Sequence, residues 1–250
     1  MNCRVKIITL MALFSSLFGC CKKDVATYPQ DTVTARDGSK ITFTFYAHAS
    51  LGIEWNGMHI YLDPVGDFKW EDEPKADIIL ISHSHYDHLE LATIEKLQTK
   101  NTVIICDKTS AETFEHDCIT MLPGSISTPF EGVKITAVPA YNITEGHTDF
   151  HPKSREDCGY IVNIGGSSIY LAGDTEDTED ILSLKDIDIA FLPVNQPYTM
   201  TVEEAARVVK AIKPQIFYPY HYGQVEDKTD IEALKAAVAG VTEIRVFPME

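Results

Sequence analysis

The sequence predicts an α+β domain in which two β-sheets pack face to face and helices cover the outside. Three observations carry this. Short apolar or alternating runs fill both halves of the chain, and each half has helical segments appended. Asn56-Gly57 in the first half and Gly165-Gly166 in the second supply hairpin turns. No internal repeat or linker interrupts residues 41–250, so one catalytic-sized domain is expected there.

In the first half, strands are expected over 41–47, 51–55 and 59–62, the last two joined by Asn56-Gly57. Residues 78–82 open with Ile78-Ile79-Leu80-Ile81, a wholly apolar run that reads as a buried strand. Leu89, Ile94 and Leu97 place a helix over 89–98, and strands follow at 103–106 and 133–138. In the second half, 159–164 and 168–172 flank Gly165-Gly166 as a hairpin, and 187–192 forms a strand. Thr201, with Glu204 three residues on, reads as a capping box opening a helix over 201–212. A strand at 216–218, a helix at 230–238 and a strand at 243–247 complete the pattern.

The first 19 residues read differently. Arg4 and Lys6 precede an apolar run ending at Phe18, shorter than the about 20 residues that a membrane-spanning helix needs. Leu17-Phe18-Gly19-Cys20 resembles a bacterial lipobox. The pattern predicts a signal peptide over 1–19, a lipid anchor at Cys20 and a polar tether over 20–40. The expected location is that of an exported bacterial lipoprotein, anchored to a membrane in the periplasm or at the cell surface. Beyond Cys3 and Cys20, Cys21, Cys106, Cys118 and Cys158 remain, without the paired spacing of a zinc ribbon. Cys106 and Cys118 are the nearest pair in sequence for a single bridge.

A formal net charge of −16 argues against a nucleic-acid partner, because phosphate backbones require clustered Lys and Arg. A small-molecule or lipid-derived substrate is expected instead.

The densest chemistry lies in His83-Ser84-His85-Tyr86-Asp87-His88, directly after the apolar run. A rigid strand delivering three imidazoles and a carboxylate suits zinc or a similar divalent ion. Later in the chain come Asp174, in the turn Ala172-Gly173-Asp174-Thr175, and His221, in Tyr220-His221-Tyr222-Gly223. With His48-Ala49-Ser50, Leu62-Asp63-Pro64 and Leu192-Pro193-Val194, these motifs resemble those of the metallo-β-lactamase-fold hydrolase superfamily, from about Ile41 onward. Within it the chain is most similar to the branch near the ascorbate-6-phosphate lactonases and the N-acylphosphatidylethanolamine phospholipases D.

The resemblance implies a four-layer αββα sandwich with two divalent metal ions at one edge, zinc, with manganese or iron as alternatives. His83 and His85 would bind the first ion, Asp87, His88 and His221 the second, and Asp174 would bridge them. The superfamily expects a further histidine for the first ion after Val138-Pro139-Ala140, where several members place it at the position of Asn142. His147 and His151 are the candidates here, and Phe150-His151-Pro152-Lys153 favours His151. Asn142 could itself line the site and leave the first ion more weakly held. Asp87, His48 and Asp63 form the candidate catalytic set. Asp87 would orient the nucleophile, His48 would face the substrate or a leaving oxygen, and Asp63 would fix a ligating histidine.

The implied chemistry is metal-assisted hydrolysis of a phosphodiester, lactone or other ester. No Gly-x-Ser-x-Gly elbow offers a competing nucleophile. Two other readings stay open: a metal-binding scaffold lipoprotein with little or no catalysis, and a two-iron oxidoreductase. The second would bring extra acidic ligands where this motif has Ser84 and Tyr86, and an attached flavin domain.

Overall fold

A computed structural model describes residues 28–115, 117–223 and 228–249, which form two seven-stranded sheets. The first contains β1 (Gln30–Thr34), β2 (Lys40–Phe45), β3 (Leu51–Trp55), β4 (Met58–Leu62), β5 (Ile78–Ile81), β6 (Val103–Cys106) and β7 (Ile119–Thr120), side by side in that order. The second contains β8 (Ile126–Ser127), β9 (Lys134–Pro139), β10 (Cys158–Ile164), β11 (Ser167–Leu171), β12 (Ile189–Pro193), β13 (Ile216–Tyr220) and β14 (Glu243–Ile244), again in chain order. Both sheets run the same course. Four antiparallel strands come first, and the pairing then turns parallel from β4 to β7 and from β11 to β14. The two halves of the chain thus repeat one topology without a repeated sequence.

The sheets bury their facing sides against each other. Phe43, Phe45, Leu51 and Ile53 of the first meet Tyr160, Val162, Phe191 and Tyr218 of the second. Each fully buried large apolar side chain contributes about 1.5–3 kcal/mol by leaving water. On the outer face of the first sheet, Ile79, Ile81 and Ile104 pack with Trp70 and with Ile94 and Leu97 of α1 (Leu91–Leu97). On the outer face of the second, Ala190, Leu192 and Phe217 pack under α3 (Glu179–Leu182), α4 (Val202–Ile212) and α5 (Ile231–Ala237). A short α2 (Lys108–Ala111) follows β6. The result is the expected four-layer αββα arrangement. The capping box of α4 is present, with Thr201 Oγ1 accepting from the Glu204 amide and Glu204 accepting from the Thr201 amide.

The tether prediction requires a correction. Residues 30–34 are not part of a polar linker but strand β1, paired residue for residue with β2 from Gln30 against Thr44 to Thr34 against Lys40. The strand lies at the sheet edge, and only Val33 among its five side chains is buried, so its composition looks like that of a linker. The signal segment 1–19 and Cys20 lie outside the described residues. No bridge joins the nearest cysteines: Cys106 and Cys118 are free, with sulfurs 3.5 Å apart, and Cys158 is free and buried.

The topology gathers chain ends at one edge of the sandwich. Strands β4, β5, β9, β11 and β13 all release their C-termini there, delivering Asp63, the loop from Ser82, the loop from Ala140, the turn at Gly173 and His221. Gly159 lets this edge close. A Cβ at that position would sit 2.4 Å from the Ala172 carbonyl oxygen, one step before the Gly173-Asp174 turn.

Candidate metal centre

The histidine-rich loop begins where β5 ends, and Asp63 fixes its start. Asp63 Oδ1 accepts from the Ser82 amide at 2.7 Å, and Oδ2 accepts from Ser82 Oγ at 2.6 Å and faces His88 Nδ1 at 2.8 Å. Ser82 Oγ in turn lies 2.9 Å from His83 Nδ1. One fully buried carboxylate therefore orients two imidazoles, one directly and one through a serine, and leaves both Nε2 atoms turned the other way. Asp63 does not line the cavity of the site. It positions other residues and has no route to a substrate.

Asp174 sits at the middle of the cluster. Its Oδ1 is 3.4 Å from His88 Nε2, while Oδ2 is 3.1 Å from His221 Nε2, 3.4 Å from His151 Nε2 and 3.9 Å from His83 Nε2. The preceding Gly173 has φ +65°, a conformation that turns the chain sharply off β11, and its amide donates to Tyr220 Oη at 2.8 Å. On one side of Asp174, His83, His85 and His151 bring ring nitrogens within 4.8 Å of one another; on the other, Asp87, His88, His221 and also His48 do the same. His83 Nε2 and His85 Nδ1 are 3.1 Å apart.

His151 joins this cluster and His147 does not. His147 Nδ1 is 3.1 Å from Glu176 Oε1, whose other oxygen accepts from the amides of Ile143 and Thr144, so His147 closes its own loop. Asn142 is buried but serves the same loop, its Nδ2 donating to the carbonyls of Tyr198 at 2.7 Å and His147 at 3.2 Å. Its backbone amide donates to the His151 carbonyl at 2.8 Å. The loop returns from Asn142 to present a histidine nine positions later. His48 Nε2 lies 3.0 Å from Asp87 Oδ2, and its ring stands 3.7 Å from that of His221.

Three of these residues, His48, Asp63 and His221, have positive φ values of 56°, 43° and 50°. Non-glycine residues rarely hold that conformation, and such strain concentrates where function over-determines the backbone. The His221 amide donates to the His48 carbonyl at 2.8 Å, and the His48 amide donates to the Met249 carbonyl at 2.8 Å, which locks the two strained residues to each other and to the C-terminal segment.

Sequence reasoning missed a second ring of residues. Asp157 Oδ2 is 3.7 Å from His151 Nδ1 and 3.2 Å from Arg155 Nε, while Arg155 Nη1 contacts His85 Nε2 at 2.6 Å and Nη2 donates to Ser84 Oγ at 3.3 Å. Asn195 Nδ2 is placed 3.2 Å from His221 Nδ1. Asn195 directly follows the Leu192-Pro193-Val194 motif, which was the available signal; Arg155 and Asp157 carry none.

Burial and mutual proximity govern the charges. Burial, with His88 adding repulsion, holds His83 well below the usual imidazole pKa, and burial with His151 and Arg155 depresses His85 to about 4. Burial also lowers His221 against the pull of Asp174. At His88 burial is overruled, since Asp174 and Asp63 on its two nitrogens raise its pKa well above the ordinary value. Burial opposes ionisation of Asp174 and Asp87 too. His221 and His88 nevertheless hold Asp174 well below the carboxylate range, and the His48 hydrogen bond and His88 bring Asp87 to about 2. The centre thus holds two ionised carboxylates, with burial pressing His83, His85 and His221 toward the neutral form in which an imidazole binds a metal, and with the two aspartates drawing His88 toward the charged one.

The donor set also fits metal by what it lacks. His88 Nε2, His221 Nε2 and Asp174 Oδ1 converge, are buried and have no hydrogen-bond partner. Orphaned polar atoms of this kind are costly unless something fills the space between them.

The comparisons with known proteins agree with the geometry. The profile of the β-lactamase superfamily domain matches residues 42–221. The chain belongs to this superfamily of metallo-β-lactamase-fold hydrolases. A UPF0173 metal-dependent hydrolase of Pyrococcus furiosus is 34% identical over 196 residues, 73% of this chain and 84% of the relative. Another, from Pelotomaculum thermopropionicum, is 33% identical over 219 residues, 81% of this chain and 94% of the relative. Among solved structures, a protein of Parabacteroides distasonis designated a metal-dependent hydrolase superposes with a TM-score of 0.84 at 40% identity, covering 89% of this chain and all of that one. As a superfamily member, this protein is a metal-dependent hydrolase.

Proposed function

We propose that this protein is a dinuclear metal-dependent hydrolase that cleaves an ester-type bond, whether in a phosphodiester, a lactone or another ester. The observation that carries the proposal is the position of Asp174, whose carboxylate lies between two separate groups of nitrogen and oxygen donors. His83, His85 and His151 would hold one divalent ion, Asp87, His88 and His221 the other, and Asp174 would contact both. An imidazole-rich set with carboxylates suits zinc, and manganese or iron fit the same donors. Two ions so held would supply hydroxide at neutral pH, by lowering the pKa of bound water from 15.7 toward about 7, and Lewis-acid stabilisation of the developing oxyanion.

The chain's own residues do the rest. His48 lines the cavity and donates from Nε2 to Asp87 Oδ2, so one carboxylate oxygen of Asp87 is fixed and the other is left to bind the ion and to orient the nucleophile beside it. Asp63 and Ser82 hold His88 and His83 in one tautomer, with Nδ1 as the back-bonded nitrogen and Nε2 facing the centre. Asn195 does the same for His221, its amide oxygen accepting from Nδ1–H when Nε2 is a ligand, an orientation related to that above by a flip of the amide.

The leader motif adds a location to this proposal: export and a lipid anchor at Cys20, which would bring lipid-derived esters within reach. The test is hydrolysis of bis(4-nitrophenyl) phosphate and a simple lactone before and after chelation. Turnover on either, lost with chelator and restored by zinc or manganese, is expected. Turnover that survives complete metal removal would refute the proposal.

A further inference from the structure

The cavity over the histidine cluster has a volume of about 490 Å³, and its walls differ in kind from its floor. The floor is the donor set already described. The remaining lining residues are Tyr86, Phe150, Tyr198 and Asn195. Phe150 and Tyr198 meet edge to face with ring centres 4.8 Å apart, a rigid aromatic wall. Tyr86 projects from the metal-binding motif itself and is 90% exposed, which leaves its ring free for another molecule.

Among the described residues no lysine or arginine lines this cavity. The nearest guanidinium by contact, Arg155, is spent on Asp157, His85 and Ser84. Lys153 lies over the Tyr141 ring and pairs with Asp180. A substrate carrying a charged phosphate away from its scissile bond would find no cation to pair with, in a chain of net charge −16. A polyhydroxylated substrate would bring most of its hydroxyls against ring faces, with the Asn195 amide and the two tyrosine hydroxyls as the neutral polar groups on these walls.

We infer that the site takes a neutral ester or lactone with an apolar, preferably aromatic, body that lies between Tyr86 and the Phe150–Tyr198 wall. The inference rests on the hydrolase reading above and narrows it from ester-type bonds in general to one substrate class. Balance is that of simple hydrolysis. The oxygen of water bonds to the carbonyl carbon, the bond from that carbon to the leaving oxygen breaks, and one proton passes to the leaving alkoxide. Acid and alcohol are the products, and nothing is oxidised or reduced.

The test compares dihydrocoumarin, an aryl lactone, with gluconolactone, and measures binding of their non-hydrolysable lactam counterparts to the metal-loaded protein by calorimetry. The aryl lactam should bind about tenfold more tightly, near the upper end of what an aromatic contact confers beyond area burial. Phe150→Ala and Tyr198→Ala should each weaken it severalfold and raise KM for dihydrocoumarin with little change in kcat. Phe150→Leu, with metal content measured alongside, guards against a variant that fails to fold. Equal or tighter binding of the polyhydroxylated lactam, or aryl binding indifferent to both ring deletions, would overturn the inference while leaving the hydrolase reading intact. Aryl preference in binding without turnover of either lactone would support the aromatic wall and count against ester hydrolysis.

Discussion

His88 Nδ1 lies 2.8 Å from Asp63 Oδ2, and both side chains are sealed from solvent. Asp63 reaches this position because β4 and β5 are parallel neighbours, so the residue after β4 meets the loop after β5. Asp63→Ala should therefore lower metal affinity about 10–100-fold, the usual consequence of losing a partner behind a ligating histidine. Competition with a chromogenic chelator measures this. Affinity unchanged by the substitution would mean that Asp63 does not set the orientation of His88.

His151→Ala should lower metal content per chain more than His147→Ala does. His151 Nε2 faces Asp174, whereas His147 is engaged with Glu176 in its own loop. His147→Ala should cost only about 0.5–1.5 kcal/mol of stability, the net worth of one hydrogen bond. Equal metal loss in the two variants, by elemental analysis, would contradict the geometry.

Asn142→Ala should destabilise the fold by about 0.5–1.5 kcal/mol, because the part-buried Tyr198 carbonyl loses its side-chain donor and the His147 carbonyl keeps only the Phe150 amide. Thermal unfolding should shift down by several degrees while the metal-to-protein ratio stays the same. A lost metal ion with an unchanged melting temperature would instead make Asn142 part of the centre.

Much of this was legible in the sequence, for definite reasons. Strands β3 and β6 fall where Asn56-Gly57 and the apolar run Val103-Ile104-Ile105 place them, since local turn chemistry and burial agree there. His83, His88 and His221, which converge on Asp174, came from motifs that follow strand ends, where chain direction fixes which way a side chain can go, whereas His151 came from a motif inside the loop after β9. Strand β1 was hidden because Gln30, Asp31, Thr32 and Thr34 carry no apolar pattern; pairing with β2, not composition, makes them a strand. Arg155 and Asp157 were hidden for another reason. They act on His85 and His151 only because a loop returns across the site, a contact between residues 70 positions apart in one case.

Gly159→Ala tests the packing that lets the edge close. The added methyl would meet the Ala172 carbonyl oxygen at 2.4 Å, and its next neighbours, Ala172 C and Leu171 O at 2.8 Å, are backbone atoms too, which leaves no flexible side chain to displace. A loss of about 1–3 kcal/mol or more is expected, from overpacking, in denaturant unfolding. Metal affinity should fall with it, because Asp174 lies two residues beyond Ala172. A variant as stable as the parent would show that β10 and β11 can separate at no cost.

The most direct test of the central claim is the number of metal ions per chain, measured by elemental analysis on purified protein after equilibration with zinc and removal of free metal. The account predicts about two, falling to one or fewer in Asp174→Ala, because that carboxylate contacts both donor groups. A single ion in the parent protein, or two that survive loss of Asp174, would contradict a dinuclear centre built around this residue.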